Sequence, residues 1–128
     1  MVVDDDPDVL QIIIHTLKGR YGFDVSSFTN PVEALYELKR TLEVAGQEPY
    51  HVIVSDVRMP QMSGFELAAS VKELDPNAKV ILMSAFEIYE QELSRGSTIL
   101  PYEEMLMKPF PLKRLCETIQ KHLTRRSP

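Results

Sequence analysis

Asp4-Asp5, Asp56, Ser84 and Lys108 each stand at or just beyond the end of a short apolar run. Three carboxylates brought together repel one another, and they stay ionised near neutral pH only with a cation among them. A hard divalent ion with oxygen ligands, Mg²⁺, meets that need, with waters filling its octahedron. Lys108 adds a second positive charge and Ser84 a hydroxyl donor. Such a set can hold the oxygens of a phosphoryl group. Asp56, alone after its run, is the candidate nucleophile, with Lys108 and Ser84 stabilising the transferred charge.

These residues are far apart in sequence, so the elements that carry them must bring them together. Met1-Val2-Val3 reads as a strand that ends in Asp4-Asp5-Asp6. Asp6 and Pro7 then form an N-cap and first helical turn. Leu10, Ile13, Ile14 and Leu17 fall on one helical face, and Gly19 and Gly22 bracket its end. Phe23 to Phe28 has β character. Asn30-Pro31 is a second cap signal, followed at helical spacing by Val32, Leu35, Leu38 and Leu42. Val52-Ile53-Val54 lacks polar alternation, as a strand buried on both faces does.

Ser63 is positioned to cap a helix from Phe65 to Leu74, and Asp75-Pro76-Asn77 reads as a turn. Val80 to Met83 predicts a strand ending in Ser84. Phe86 to Leu93 predicts one or two helical turns. Met105-Leu106-Met107 predicts a last strand ending in Lys108. Leu112, Leu115, Cys116, Ile119 and Leu123 form the stripe of a last helix. Repeated strand–helix alternation predicts a doubly wound α/β fold, five parallel strands with helices on both faces. Ligands of such sheets bind beyond the carboxyl ends of the strands.

Composition narrows the function. The chain has 128 residues, 44% apolar and 26% charged, the profile of one globular domain. A net charge of −5 argues against direct nucleic-acid binding by general electrostatics. The single cysteine, Cys116, excludes an internal disulfide and reads as a small core residue. No apolar run is long enough for a membrane span and no signal peptide is visible. The expectation is a cytoplasmic protein. His15, His51 and His122 lie on different elements and read as ordinary surface or half-buried residues.

Val3-Asp4-Asp5-Asp6-Pro7, Val54-Ser55-Asp56-Val57-Arg58-Met59-Pro60 with Met62-Ser63-Gly64, Met83-Ser84-Ala85 and Lys108-Pro109-Phe110 together resemble the receiver domain of two-component response regulators. The resemblance implies a flavodoxin-like (βα)₅ receiver over residues 1–124, with a tail over 125–128 and no output domain. By it, Asp56 accepts a phosphoryl group from the phosphohistidine of a sensor histidine kinase or phosphotransfer protein. Mg²⁺ is ligated directly by Asp5, Asp56 and the Arg58 carbonyl, and by Asp4 through a water. Ser84 and Lys108 contact the phosphoryl oxygens, and a downstream protein target reads the state.

The family's switch couples the hydroxyl at Ser84 to an aromatic ring on the last strand. Met105 stands at that ring's position. The expectation is therefore a weaker or relocated switch within 86–104, with Tyr102 as a substitute aromatic. By the resemblance, Arg58 and Phe86 border the approach of water to the acyl phosphate, and their bulk predicts slow self-dephosphorylation. Two other readings compete: a haloacid-dehalogenase-type phosphatase with Asp4 as nucleophile and Asp6 as acid, and a pseudo-receiver that binds partners without phosphorylation. A flavin-binding flavodoxin is disfavoured, because no Ser/Thr/Gly-rich phosphate loop follows the first strand.

Overall fold

The computed structural model describes residues 1–85, 87 and 101–124. Along them run β1 (Val2–Val3), α1 (Pro7–Gly19), β2 (Ser27–Phe28), α2 (Pro31–Glu43), β3 (Val52–Asp56), α3 (Gly64–Leu74), β4 (Lys79–Ala85), β5 (Glu104–Lys108) and α4 (Leu112–Thr124). The strands form one parallel sheet in the order β2-β1-β3-β4-β5. The helical turns expected at 86–93 and the tail 125–128 lie outside the described residues.

Local chemistry starts the helices where the sequence signals them. Asp6 caps α1 by accepting from the N–H groups of Asp8 and Val9, and Asn30 caps α2 through Val32 N–H. Ser63 and Glu66 form a capping box at α3, each side chain accepting from the other's backbone N–H. At the far end of α1 the chain reverses through Gly22 at φ +67°, a left-handed conformation that glycine adopts without steric cost.

Apolar strands bury both faces because successive side chains alternate. Val3, Ile53, Val80 and Leu82 face one side and pack under Ala34 and Leu38 of α2 and Leu67, Ala68 and Val71 of α3. Val2, Val54, Ile81, Met83 and Leu106 face the other, against Leu10, Ile13 and Leu17 of α1 and Leu115, Cys116 and Ile119 of α4. Cys116 is fully buried, as expected of a small core residue.

Three local expectations need correction. The β character of Phe23 to Phe28 yields only a two-residue strand. This edge strand pairs with β1 alone, and β1 offers only Val2 and Val3 as partners. Phe23 and Val25 instead pack against the cluster under α1 and α4. His122 is buried, not at the surface, with Nε2 3.3 Å from Glu104 Oε1.

The third correction concerns α2. Its buried side is Pro31, Ala34, Leu38 and Thr41, whereas Val32 is 52% and Leu42 39% exposed. Two helical stripes were available, and the one with the small Ala34 faces the sheet. Thr41 fits there because its hydroxyl donates to the Leu38 carbonyl at 2.8 Å. Leu38→Ala is thus expected to cost about 2–5 kcal/mol, as a cavity-forming core truncation does. Val32→Ser should change stability by no more than about 0.5 kcal/mol. Urea denaturation of both variants checks the assignment, and equal losses would contradict it.

Candidate functional site

The parallel register gathers the chemistry at one sheet edge. β1 leads directly into Asp4, β3 ends on Asp56, Ser84 is the penultimate residue of β4, and Lys108 ends β5. Val3 pairs with Ser55, which sets Asp4 level with Asp56 on the neighbouring strand. Asp56 pairs with Met83, and Ala85 with Lys108, so the last two strands carry Ser84 and Lys108 to the same edge.

The carboxylates of Asp4, Asp5 and Asp56 offer oxygens that all lie within 4.8 Å of one another. Asp4 and Asp56 are buried, while Asp5 is exposed. Lys108 Nζ donates to Asp56 Oδ1 at 2.7 Å. One Asp4 oxygen accepts from Asp6 N–H at 2.9 Å; the other, Oδ2, is buried with no hydrogen-bond partner among the described residues. Burial pushes the Asp4 carboxyl above its ordinary range. The nearby Asp56 and Asp5 carboxylates push the same way, against the Asp6 amide and Lys108. A cation relieves this strain directly. The orphaned oxygen, the clustered acids and the all-oxygen donor set therefore fit a hard divalent ion.

Ser84 is buried at the edge, and its hydroxyl donates to the Ala85 carbonyl at 3.1 Å. Arg58 is exposed two residues beyond Asp56. Met105 is half-buried beside the apolar cluster under α2 and α3. Phe86, the other residue expected to shield the site, lies outside the described residues. Asp6 does not join the cluster, because its side chain caps α1.

Sequence reasoning gave no structural role to Gly64. A Cβ there would stand 2.5 Å from the Asp56 carbonyl oxygen and 2.8 Å from Val57 Cα. Its N–H donates to the Val57 carbonyl at 2.8 Å. The first turn of α3 is thus seated against the peptide that follows Asp56, and Ser55 Oγ donates to the same Asp56 carbonyl at 2.8 Å. The local sign was a glycine directly after the Ser63 cap, where a helix-forming residue would otherwise be preferred.

A doubly wound parallel sheet with three acids, a lysine and a serine at its carboxyl edge defines the class of phosphorylation-controlled receivers. The family model of the response regulator receiver domain matches residues 1–120, and the chain belongs to that family. It is 29% identical to the response regulator receiver protein CpdR of Brucella abortus, over 96% of this chain and 94% of that protein. Against the response regulator protein PilR of Pseudomonas aeruginosa it is also 29% identical, but it spans only 26% of that protein's length. Among solved structures, the receiver domain of the Francisella response regulator 1452 superposes with a TM-score of 0.78 at 28% identity, covering 98% of this chain and 96% of that one.

The chain is therefore a receiver domain of response regulators, a signalling switch. Phosphorylation, Mg²⁺ dependence and interaction with histidine kinases or phosphotransfer proteins are general properties of the family. Nothing in the match supports the dehalogenase-type phosphatase, and Asp6, the acid that reading needs, is used as a cap. Among the described residues, no helix is long and apolar enough to cross a membrane.

Proposed function

We propose that Asp56 is the phosphoacceptor and that residues 1–124 form the receiver unit. The single observation that carries this reading is the 2.7 Å Lys108–Asp56 ion pair beside the orphaned Asp4 oxygen. A carboxylate oxygen of Asp56 attacks the phosphorus of a phosphohistidine on a sensor kinase or phosphotransfer protein. The new O–P bond forms as the N–P bond breaks, and the bonding pair stays on the imidazole nitrogen. Lys108 exchanges part of its pairing with Asp56 for the incoming phosphoryl oxygens, and Ser84 turns its hydroxyl from Ala85 to the same group. Asp4, Asp5, Asp56 and the Arg58 carbonyl would hold Mg²⁺. When bound, the ion offsets the negative charge of acceptor and phosphoryl group together.

The chain works as a cytoplasmic switch and not as an enzyme with its own substrate. Its output passes to a downstream protein partner, without direct contact to nucleic acid or membrane. The complete acid set and Lys108 weigh against a pseudo-receiver. With acetyl phosphate and Mg²⁺, intact mass should show one added phosphoryl group, and excess chelator should prevent it. No adduct with Mg²⁺ present would return the pseudo-receiver reading.

A further inference from the structure

Three consecutive residues entering β5 are fastened to different parts of the fold. The Tyr102 ring packs on Phe65 of α3, with centroids 6.0 Å apart and planes at 49°. The Glu103 carboxylate accepts from Lys72 Nζ of α3 at 2.6 and 2.8 Å and from Val80 N–H at 2.7 Å. Lys72 also donates to the Ala78 carbonyl at 2.7 Å, and Glu103 N–H to the Val80 carbonyl at 2.8 Å. Glu104 connects to the opposite layer, pairing with Lys121 and His122 of α4. Phe65 and Lys72 are two helical turns apart on one side of α3. The segment therefore holds α3 at two points and α4 at a third.

The α3 end of this fastening lies next to the acceptor. Phe65 directly follows Gly64, and Gly64 is seated against the Asp56 and Val57 backbone closely enough to leave no room for a Cβ. The first turn of α3 is thus both packed against and hydrogen-bonded to the peptide after Asp56. The Phe65–Tyr102 contact lies one residue on from this seat. Met105 is poorly suited to carry the same signal. It is flexible, has no hydroxyl, and distinguishes weakly between two packed positions.

Resting on the reading of Asp56 as phosphoacceptor, we propose that residues 102–104 form a yoke that carries the phosphorylation state from the first turn of α3 to the carboxyl-terminal half of α4. The two states of the switch are two seatings of Tyr102 on Phe65. The Lys72–Glu103 ion pair keeps the segment attached to α3 in both, and Glu104 transfers the displacement to α4. A single packed element biased from both ends is what a two-state relay requires.

The test is backbone amide shifts of the ¹⁵N-labelled chain with Mg²⁺, with and without beryllium fluoride as acyl-phosphate mimic. In the parent chain, shifts are expected at Asp56, Ser84 and Lys108, and also at 102–104, Lys121 and His122. In Tyr102→Leu and Glu103→Gln the first group should persist, and those of Lys121 and His122 should fall to about half or less. Tyr102→Phe, which keeps the ring, should restore them. Full-size α4 shifts in both variants would overturn the yoke, as would a parent chain that responds at Asp56 but not at 102–104. Absence of any response at Asp56 in the parent would instead refute the acceptor assignment, and the yoke with it.

Discussion

Asp56→Asn is expected to take up no phosphoryl group from acetyl phosphate under conditions that label the parent chain fully. The amide nearly matches the carboxylate in shape, so the fold should stay intact. It lacks the anionic oxygen that must attack phosphorus, and it replaces the ion pair that Lys108 makes at 2.7 Å with a weaker bond to a neutral amide oxygen. Asp5→Asn should keep the acceptor and chiefly weaken Mg²⁺ binding, because it removes one charge from the cluster. Labelling should then recover at higher Mg²⁺. Intact-mass measurement across a Mg²⁺ titration separates the two variants. Undiminished labelling of Asp56→Asn would refute the assignment. Loss of that labelling in an Asp4 variant alone would favour the phosphatase reading.

Gly64→Ala is expected to be damaging both to the fold and to the site. The added methyl would meet the Asp56 carbonyl oxygen at 2.5 Å and Val57 Cα at 2.8 Å, and both are backbone atoms that no rotamer change can move aside. Either α3 withdraws from β3 or the acceptor's peptide shifts. Overpacking of this kind costs about 1–3 kcal/mol. Displacing the acceptor by a fraction of an ångström should also slow phosphorylation, by up to about a hundredfold. Gly19→Ala is the control. A Cβ at Gly19 meets nothing within 4 Å, so that change should be neutral or stabilising by up to about 1 kcal/mol. Denaturant midpoints and acetyl phosphate labelling rates for both variants test the contrast. Equal midpoints would show that the α3 approach is not a constraint.

The caps were legible because they are local. Asp6, Asn30 and Ser63 each bond to backbone groups two or three residues ahead, within the same stretch of sequence. The site's residue types were legible for a chemical reason: acids, a lysine and a hydroxyl after successive apolar runs meet only if those runs are parallel strands. The sequence by itself therefore determined the α/β class, the edge at which the chemistry collects and the residues gathered there.

Other features depended on partners far along the chain. The inward face of α2 was decided by packing, which buries Ala34, Leu38 and Thr41 and leaves Val32 and Leu42 of the apolar stripe exposed. The length of β2 was decided by what β1 could pair with it. Asp4 and Asp6 are near neighbours of the same type, yet one is buried at the site with an orphaned oxygen and the other caps a helix. The seat of Gly64 on Asp56 left only a glycine after the Ser63 cap as its local sign, and the Lys72–Glu103 pair and the Phe65–Tyr102 contact left none. Each joins residues 8 or more positions apart whose types are ordinary where they stand. Local spacing specifies which way a helix or strand can turn, but only packing decides which of two permitted faces is buried and which distant side chains then meet.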